Sequence, residues 1–360
     1  MGKAAAGSGR RAWLIGGLAV AAIAAIVLSR TGPRDQDPSA AAAPQPPATA
    51  ASTAGDTAFR TQQGADATAV RVDPRTVPAL PALDVPLRQS IGALRERAAQ
   101  GDALAACRIA AEYEWCERVR QRRAVSARQV EIMRNAPPRP SRNEAMARRV
   151  EQAARFAAES DLEYRRHCEG APVLGAAQRA NYWRQAALRG HLPSMRHYAN
   201  GNAFRFDDML DALPELARYR AEAESMALRA ANAGDIAMTY ALAMGYAAGA
   251  EGGRRSFLAQ AVRPDEAKAL VLFRRLAAVP GFAGMPPRHP VRRAVDANLP
   301  GLEGIVDPAA LAQAARAMGA PPTETGPAPD ESMPRLLENG GLGDAGREAC
   351  DRRDFAPASG

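Results

Sequence analysis

The sequence has few aromatic residues and few histidines. Phe, Trp and Tyr together make up 5 % of the chain, and there are four His in 360 residues. It also lacks a Gly-x-Ser-x-Gly elbow, a His-Glu-x-x-His pair and a Gly-x-x-x-x-Gly-Lys-Ser/Thr phosphate loop. These absences remove the common signatures of serine hydrolases, zinc proteases and nucleotide-hydrolysing enzymes. We therefore predict no catalytic, cofactor-binding or metal-binding residue, and we expect a protein that is not an enzyme.

Two neighbouring acids, Asp207 and Asp208, are the nearest approach to a general acid–base pair. They precede a helix that we expect to begin near Pro214. Negative charge is favourable at a helix start, because the first backbone N–H groups point outward there. Among the histidines, His191 and His197 are six residues apart and do not share one helical face, and we expect His191 to cap a helix. These residues are interpreted as structural.

A concentrated basic face is also missing, although the formal net charge is +8. Residues 1–34 contain no acid and carry five of the positive charges, which leaves 8 − 5 = +3 for residues 35–360. Acids and bases are interspersed in that larger part. Since a duplex-binding protein usually has a clustered basic surface, we predict no nucleic-acid partner.

Long uncharged runs are restricted to the amino terminus. Residues 12–28 contain no charge and follow Arg11. About 20 apolar residues are typical of a spanning helix, so we predict a basic tail at 1–11 and a transmembrane anchor at 12–29. A cleaved signal peptide is the alternative. Residues 30–84 are rich in Ala and Pro, and such a tether of ~50 residues reaches roughly 40 Å as a coil. We expect a single-pass membrane protein whose body lies across the membrane from the basic tail.

The body contains a degenerate repeat. Residues 98–111, 186–199, 230–243 and 265–281 each combine an Ala pair with a following Gly. These glycines are predicted to end the first helix of a hairpin, because Gly adopts the left-handed C′ conformation without a Cβ clash. Asp102 and Asp235 are predicted N-caps of the second helix. The predicted turn glycines are Gly101, Gly190, Gly234 and Gly281. The first interval is close to two periods, which predicts an inserted helical pair.

The pattern resembles the Sel1-like repeat, a relative of the tetratricopeptide repeat. Asp265, Ala269 and Leu270 to Arg275 follow its first helix, and Tyr182 to Ala187 with Gly190 follow the second half of that helix. The resemblance covers residues 88–116 and 176–282, and we predict a helical repeat domain over residues 85–320. It implies an all-α fold, an α-solenoid that scaffolds protein complexes, often in bacterial envelopes. We therefore expect the anchor to lie in the bacterial inner membrane and the repeat domain in the periplasm. Most of the aromatic residues are expected to pack. A concave partner surface is predicted from five residues, namely Tyr182, Trp183, Arg184, Phe273 and Arg274.

There are four Cys, which permit three pairings of two disulfides. Residues 103–134 and 142–167 are predicted helices, separated by the breaker Asn-Ala-Pro-Pro-Arg-Pro-Ser. Folding this pair at about residue 138 brings Cys168 near Cys107, so we predict a Cys107–Cys168 disulfide. A metal site formed by Cys107, Cys116, His167 and Cys168 is the competing idea, but it lacks the close paired spacing of structural zinc ligands.

The last 40 residues, 321–360, are predicted to be mostly disordered. Together these features predict a membrane-tethered periplasmic scaffold, whose partners are envelope proteins and the membrane itself. A module that binds or modifies the cell-wall peptidoglycan is the alternative function, since a mildly basic body would suit an anionic polymer. A cytoplasmic adaptor of inverted topology is the third hypothesis.

Overall fold

The described part of this computed structural model consists of helices. It covers residues 77–135, 143–247, 256–323, 325 and 345–356, and these residues contain no β-strand beyond one isolated bridge. The predicted all-α class is confirmed for this part of the chain. The predicted anchor and nearly all of the predicted tether lie outside the described residues. Among the helices that are described, none is long and apolar enough to cross a membrane.

Eleven α-helices lie in the described residues, in the order α1 (Leu87–Ala99), α2 (Ala103–Arg134), α3 (Asn143–Glu163), α4 (Ala176–Leu188), α5 (Leu192–Ala199), α6 (Leu213–Asn232), α7 (Ile236–Ala247), α8 (Phe257–Ala261), α9 (Glu266–Ala277), α10 (Pro290–Ile305) and α11 (Pro308–Ala317). A π-helical turn, Tyr164–Cys168, continues α3. Short 3-10 helices occur at Met209–Ala212, Phe282–Gly284 and Arg347–Asp351.

Consecutive helices pack as hairpins, with α1 against α2, α4 against α5, α6 against α7 and α9 against α10. The Asp102 side chain accepts hydrogen bonds from Leu104 N and Ala105 N, and the Asp235 side chain accepts one from Met238 N. The four predicted turn glycines have φ between 85° and 96°. Gly281 differs from the others in position, because it begins a 3-10 helix after Ala278 has already capped α9.

The core is built from alanine and a few large aromatic residues. Ala side chains let neighbouring helices approach closely, and α7 is buried on nearly every face. The rings of Tyr198, Phe204 and Tyr219 form one cluster, with centroids 5.2 to 6.2 Å apart. Seven of the sixteen aromatic residues in the described part of the chain are buried, and these seven supply the large side chains of the core.

The predicted Cys107–Cys168 disulfide is wrong. The bonds are Cys116–Cys168 and Cys107–Cys350. The predicted helices of the inserted pair are present as α2 and α3, but their register differs from a symmetric fold at residue 138. Arg122 of α2 meets Glu163 at 3.1 Å, and in this register Cys116 lies opposite Cys168.

The second bond was missed because its partner lies in the predicted disordered tail. Residues 345–356, which we call the terminal segment, pack against the helical body, with Cys350 fully buried. The prediction of disorder is therefore wrong for this segment. Residues 326–344 and 357–360 lie outside the described part of the chain.

Candidate functional site

The predicted partner surface is not one surface. Trp183 and Phe273 are fully buried, so neither can contact a partner, and this part of the prediction is wrong. The Trp183 ring stacks on His197 with centroids 3.9 Å apart, and its Nε1 donates to Glu114 Oε1 at 2.9 Å. The sequence of α4 does not show that Trp183 faces inward, because Trp183 lies between Tyr182 and Arg184.

The two predicted surface arginines form ion pairs with neighbouring helices. Arg184 of α4 donates two hydrogen bonds of 2.7 Å to the Glu222 carboxylate of α6. Arg274 of α9 donates to Glu303 of α10 at 2.9 Å, and both of these side chains are about half exposed. Arg184 therefore joins two hairpins, whereas Arg274 remains accessible from solvent.

Among the five residues of the predicted partner surface, Tyr182 remains the best candidate for contact with a partner. It is half-buried on α4, and Tyr113 of α2 and Arg95 of α1 lie beside it. Burial raises the pKa of both phenols, and the positive charge of Arg95 partly offsets that rise. We call Arg95, Tyr113 and Tyr182 the Tyr182 surface. Helices α1, α2 and α4 contribute to it, and it offers a cation and two hydroxyl-bearing rings.

A second site lies where the terminal segment binds the turn between α4 and α5. Leu192 N donates to Asp354 O at 2.9 Å, and Ala356 N donates to Gly190 O at 2.8 Å. Gly190 has φ +87°, and a Cβ atom at this position would lie 3.2 Å from Ala356 O. The turn therefore needs glycine for its backbone conformation and for the close approach of the bound segment. Its geometry is that of one rung of an antiparallel ladder.

His191 holds the same segment through its side chain. Its Nε2 lies 3.0 Å from Arg352 O, and its Nδ1 lies 2.7 Å from Ser194 Oγ. Since a carbonyl can only accept, Nε2 carries the proton and Nδ1 accepts from the Ser194 hydroxyl. His191 occupies the N-cap position of α5, but its side chain makes no cap hydrogen bond, contrary to the prediction. Burial lowers the pKa of His191 to about 4, although the hydrogen bond to the Arg352 carbonyl opposes the shift.

We expect the protein to become less stable as the pH decreases through the mildly acidic range, because of His191. Its pKa is about 4 in the folded state against 6.5 in the unfolded chain, so between these values the unfolded state binds a proton that the folded state does not. The free energy of unfolding therefore decreases as the pH drops from 6.5 to 4, by roughly 3 kcal/mol in all. Urea unfolding between pH 7 and pH 4.5 measures this slope.

The His191→Asn variant is the control for that slope, because its side chain does not titrate. It should be less stable than the parent at pH 7 but should lose less stability on acidification. An unchanged slope in His191→Asn would contradict the assignment to His191.

The terminal segment also supplies charges to a buried cluster around Glu112. Glu112 Oε2 lies 2.7 Å from His167 Nε2 and 3.1 Å from Arg347 Nη1. The Arg347 guanidinium lies over the Trp115 ring, 3.9 Å from its centroid, which is cation–π geometry. Nearby, buried Arg108 donates to Asp351 at 2.6 Å. The terminal segment thus supplies a cation, Arg347, to the buried carboxylate of Glu112. It also supplies an anion, Asp351, to the buried guanidinium of Arg108.

Glu114 of α2 is the centre of a second buried cluster. It is 0 % exposed, and its oxygens face Arg179, Arg205, His197 and the Trp183 ring N–H. Burial alone raises the pKa of this carboxyl, but His197, Arg205 and Arg179 outweigh it and lower the pKa to about 2. Ala345 N donates to His197 Nδ1 at 3.3 Å, so the His197 ring donates from Nε2 to Glu114 and is engaged at both nitrogens.

The cysteines and the two neighbouring acids are engaged within the described structure. The metal-site alternative is wrong for its cysteines, because all four Cys are oxidised in disulfides. Within the described residues there is no group of three or more His, Cys, Asp or Glu that could hold a metal ion. Asp207 accepts from Gln121 at 2.9 Å, and Asp208 pairs with Arg179 at 2.8 Å. Both acids precede α6, as predicted, and both are engaged by side chains.

Sequence reasoning missed the residues that bind the terminal segment. The only signal for Glu112 and Glu114 is that two acids interrupt the alanine- and aromatic-rich start of a long helix. Compared with models of known protein families, with curated proteins and with solved structures, the chain matches none at a significant level. The resemblance to the Sel1-like repeat therefore rests on the residues quoted above and stays a prediction.

Proposed function

We propose that this chain is a membrane-anchored helical-repeat scaffold of the bacterial periplasm, an α-solenoid that binds another protein of the cell envelope. The hairpins α1–α2, α4–α5 and α6–α7 support a repeat, since each has a left-handed glycine at its turn. The two disulfides favour an oxidising compartment. The uncharged run at 12–28 supports an anchor.

One observation carries the proposal more than any other. The helical body already binds its own terminal segment, a short 3-10 helix followed by residues 352–356, through backbone hydrogen bonds at Gly190 and Leu192 and through buried side chains. A helical array that accepts one segment of chain at a hairpin turn can accept a segment of a partner in the same way. The Tyr182 surface supplies a half-exposed site for such a partner.

Affinity capture from chemically cross-linked membranes tests the proposal. The bait is the full chain with its disulfides intact, compared with the double variant Arg95→Glu/Tyr182→Ala and with Arg316→Gln, a change of one exposed arginine on α11. We expect one envelope protein to be enriched by the parent and by Arg316→Gln, and to be lost with the double variant.

Two other results would count against the scaffold. Enrichment of wall fragments in place of a protein would favour the peptidoglycan-binding alternative. Equal capture by the parent and the double variant would remove the Tyr182 surface from the proposal.

A further inference from the structure

The outer parts of α2 and α3 form a two-helix hairpin that contributes little to the core. In the 32-residue helix α2, burial is nearly continuous from Ala103 to Ala111 but is limited to a few positions after Val119. Across residues 144–163 of α3, Ser160 is the one buried residue, and α3 packs along α2. We call the described residues 117–135 and 143–167 the distal hairpin. Ordering a helix pair of this length costs conformational entropy. Its few buried residues do not explain why the pair is present.

The distal hairpin is the basic part of the body. Its described residues contain eleven Arg against seven Asp and Glu, a net charge of +4. Residues 35–360 as a whole carry +3, so the rest of that stretch is net negative. Acids and bases are interspersed within the distal hairpin too, but the hairpin carries more positive charge than the rest of the body does.

The acids of the distal hairpin are mostly neutralised within it. Glu163 and Asp161 pair with Arg122 and Arg123 across the two helices, and Glu151 pairs with Arg155 along α3. Four exposed arginines form no ion pair with any described residue, namely Arg128, Arg134, Arg149 and Arg166. The free charge of the hairpin is thus positive along both helices.

Large apolar side chains lie exposed among these arginines. Val125 and Ile132 on α2 are 64 % and 60 % exposed, and Phe156 and Leu162 on α3 are 47 % and 43 % exposed. A soluble polyanion needs only the positive charge. Helices that combine arginine with exposed Phe, Leu and Ile are typical of surfaces that rest in the headgroup region of an anionic bilayer, where both kinds of side chain are satisfied.

We propose that the distal hairpin docks on the surface of an anionic phospholipid bilayer. Arg128 shares a face of α2 with Val125 and Ile132, and Arg149 shares a face of α3 with Phe156. These two arginines contact lipid phosphates, and the exposed apolar side chains beside them enter the headgroup boundary. The inference goes beyond the proposed function and rests on it only for the position of the body beside a membrane. The predicted tether spans roughly 40 Å, which is comparable to the ~48 Å length of α2 at 1.5 Å per residue. A tether of this length lets the anchor and the distal hairpin contact the same bilayer.

Hydrogen–deuterium exchange of the full chain in lipid nanodiscs tests the proposal. One set of discs contains phosphatidylcholine and a second also contains phosphatidylglycerol. We expect slower exchange in peptides from 119–134 and 144–163 in the anionic discs only, with the slowing lost at high salt, because screening shortens the reach of surface charge. In Arg128→Gln/Arg149→Gln the ratio of docked to free hairpin should fall about thirtyfold, which abolishes the slowing. The matched control is Arg263→Gln/Arg316→Gln, with two exposed arginines outside the hairpin.

The outcomes separate this inference from the proposed anchor. Recovery of the chain in discs reports the anchor, and exchange in the hairpin reports docking. If the chain does not enter discs, the anchor prediction fails, and the same exchange is then measured with preformed vesicles of the two compositions. Equal exchange with neutral and anionic lipid would overturn the proposed docking. Slower exchange with purified wall sacculi, but not with lipid, would also overturn it and would assign the hairpin to a wall polymer.

Discussion

Replacing Cys107 and Cys350 together by Ser will lower the free energy of unfolding by roughly 3–5 kcal/mol. The bond joins residues 243 positions apart, so its loss releases a very large loop in the unfolded chain. In the folded state the terminal segment then depends on the Gly190 and Leu192 backbone bonds and on the ion pairs of Arg347 and Arg108. Urea unfolding followed by circular dichroism measures the loss, and limited proteolysis should cleave first after Arg347 or Arg352.

The matched comparison is Cys116→Ser/Cys168→Ser, which opens a loop of 52 positions. Loop-closure entropy grows with the logarithm of loop length, so this pair should cost about 1 kcal/mol less. It should loosen α3 and leave the terminal segment protected from protease. A non-reducing peptide map that joins Cys107 to Cys116 or Cys168 would contradict both assignments before any stability is measured.

The Glu114→Ala variant will lose a comparable amount, roughly 3–5 kcal/mol, for a different reason. Glu114 is fully buried and neutralises Arg179 and Arg205 while accepting from Trp183 and His197. Its removal leaves two cations without their shared anion and two ring donors without an acceptor. Urea unfolding at pH 7 measures this loss, since a carboxyl with a pKa of about 2 is fully ionised there.

Glu117→Ala is the control for this prediction. Glu117 lies one turn further along α2 and pairs with Arg120, which is largely exposed. Exposed pairs contribute about 0–1 kcal/mol, so this variant should behave nearly as the parent does. If Glu114→Ala fell within that same range, the buried cluster would not be a stabilising one. The Glu114→Gln variant, which keeps an acceptor oxygen, should lie between the two.

Local rules predicted the helices well. Proline and glycine breakers place both ends of α2, the start of α3 and the end of its π-helical continuation within one residue of those observed. Aspartate caps and left-handed glycines mark the hairpin turns at 101 and 234. Each of these signals depends on the chain within one turn of the residue concerned. The same is true of the glycine at 190, where the backbone conformation is encoded locally even though its bound partner is not.

Contacts between residues that lie far apart in the sequence could not be predicted. The Cys107 partner, the cation that meets Glu112 and the carbonyl that meets His191 all come from the terminal segment, whose composition is that of a disordered tail. A segment without its own periodicity can still be ordered by a groove that other residues build, and no local pattern reports this. The inward position of Trp183 was missed for a related reason, since its polar neighbours Tyr182 and Arg184 hide the buried face of α4.

The disulfide connectivity has a consequence for how the protein is made. During synthesis Cys107, Cys116 and Cys168 emerge in that order, and Cys350 emerges 182 residues after Cys168. Oxidation in order of appearance would join Cys107 to Cys116, which is neither native bond. Maturation therefore requires either that Cys107 stay reduced until the carboxyl terminus arrives or that an early bond be exchanged later by thiol attack. A chain that stops short of Cys350 retains an unpaired thiol in its core, a chemical mark by which a cell can tell unfinished copies from complete ones.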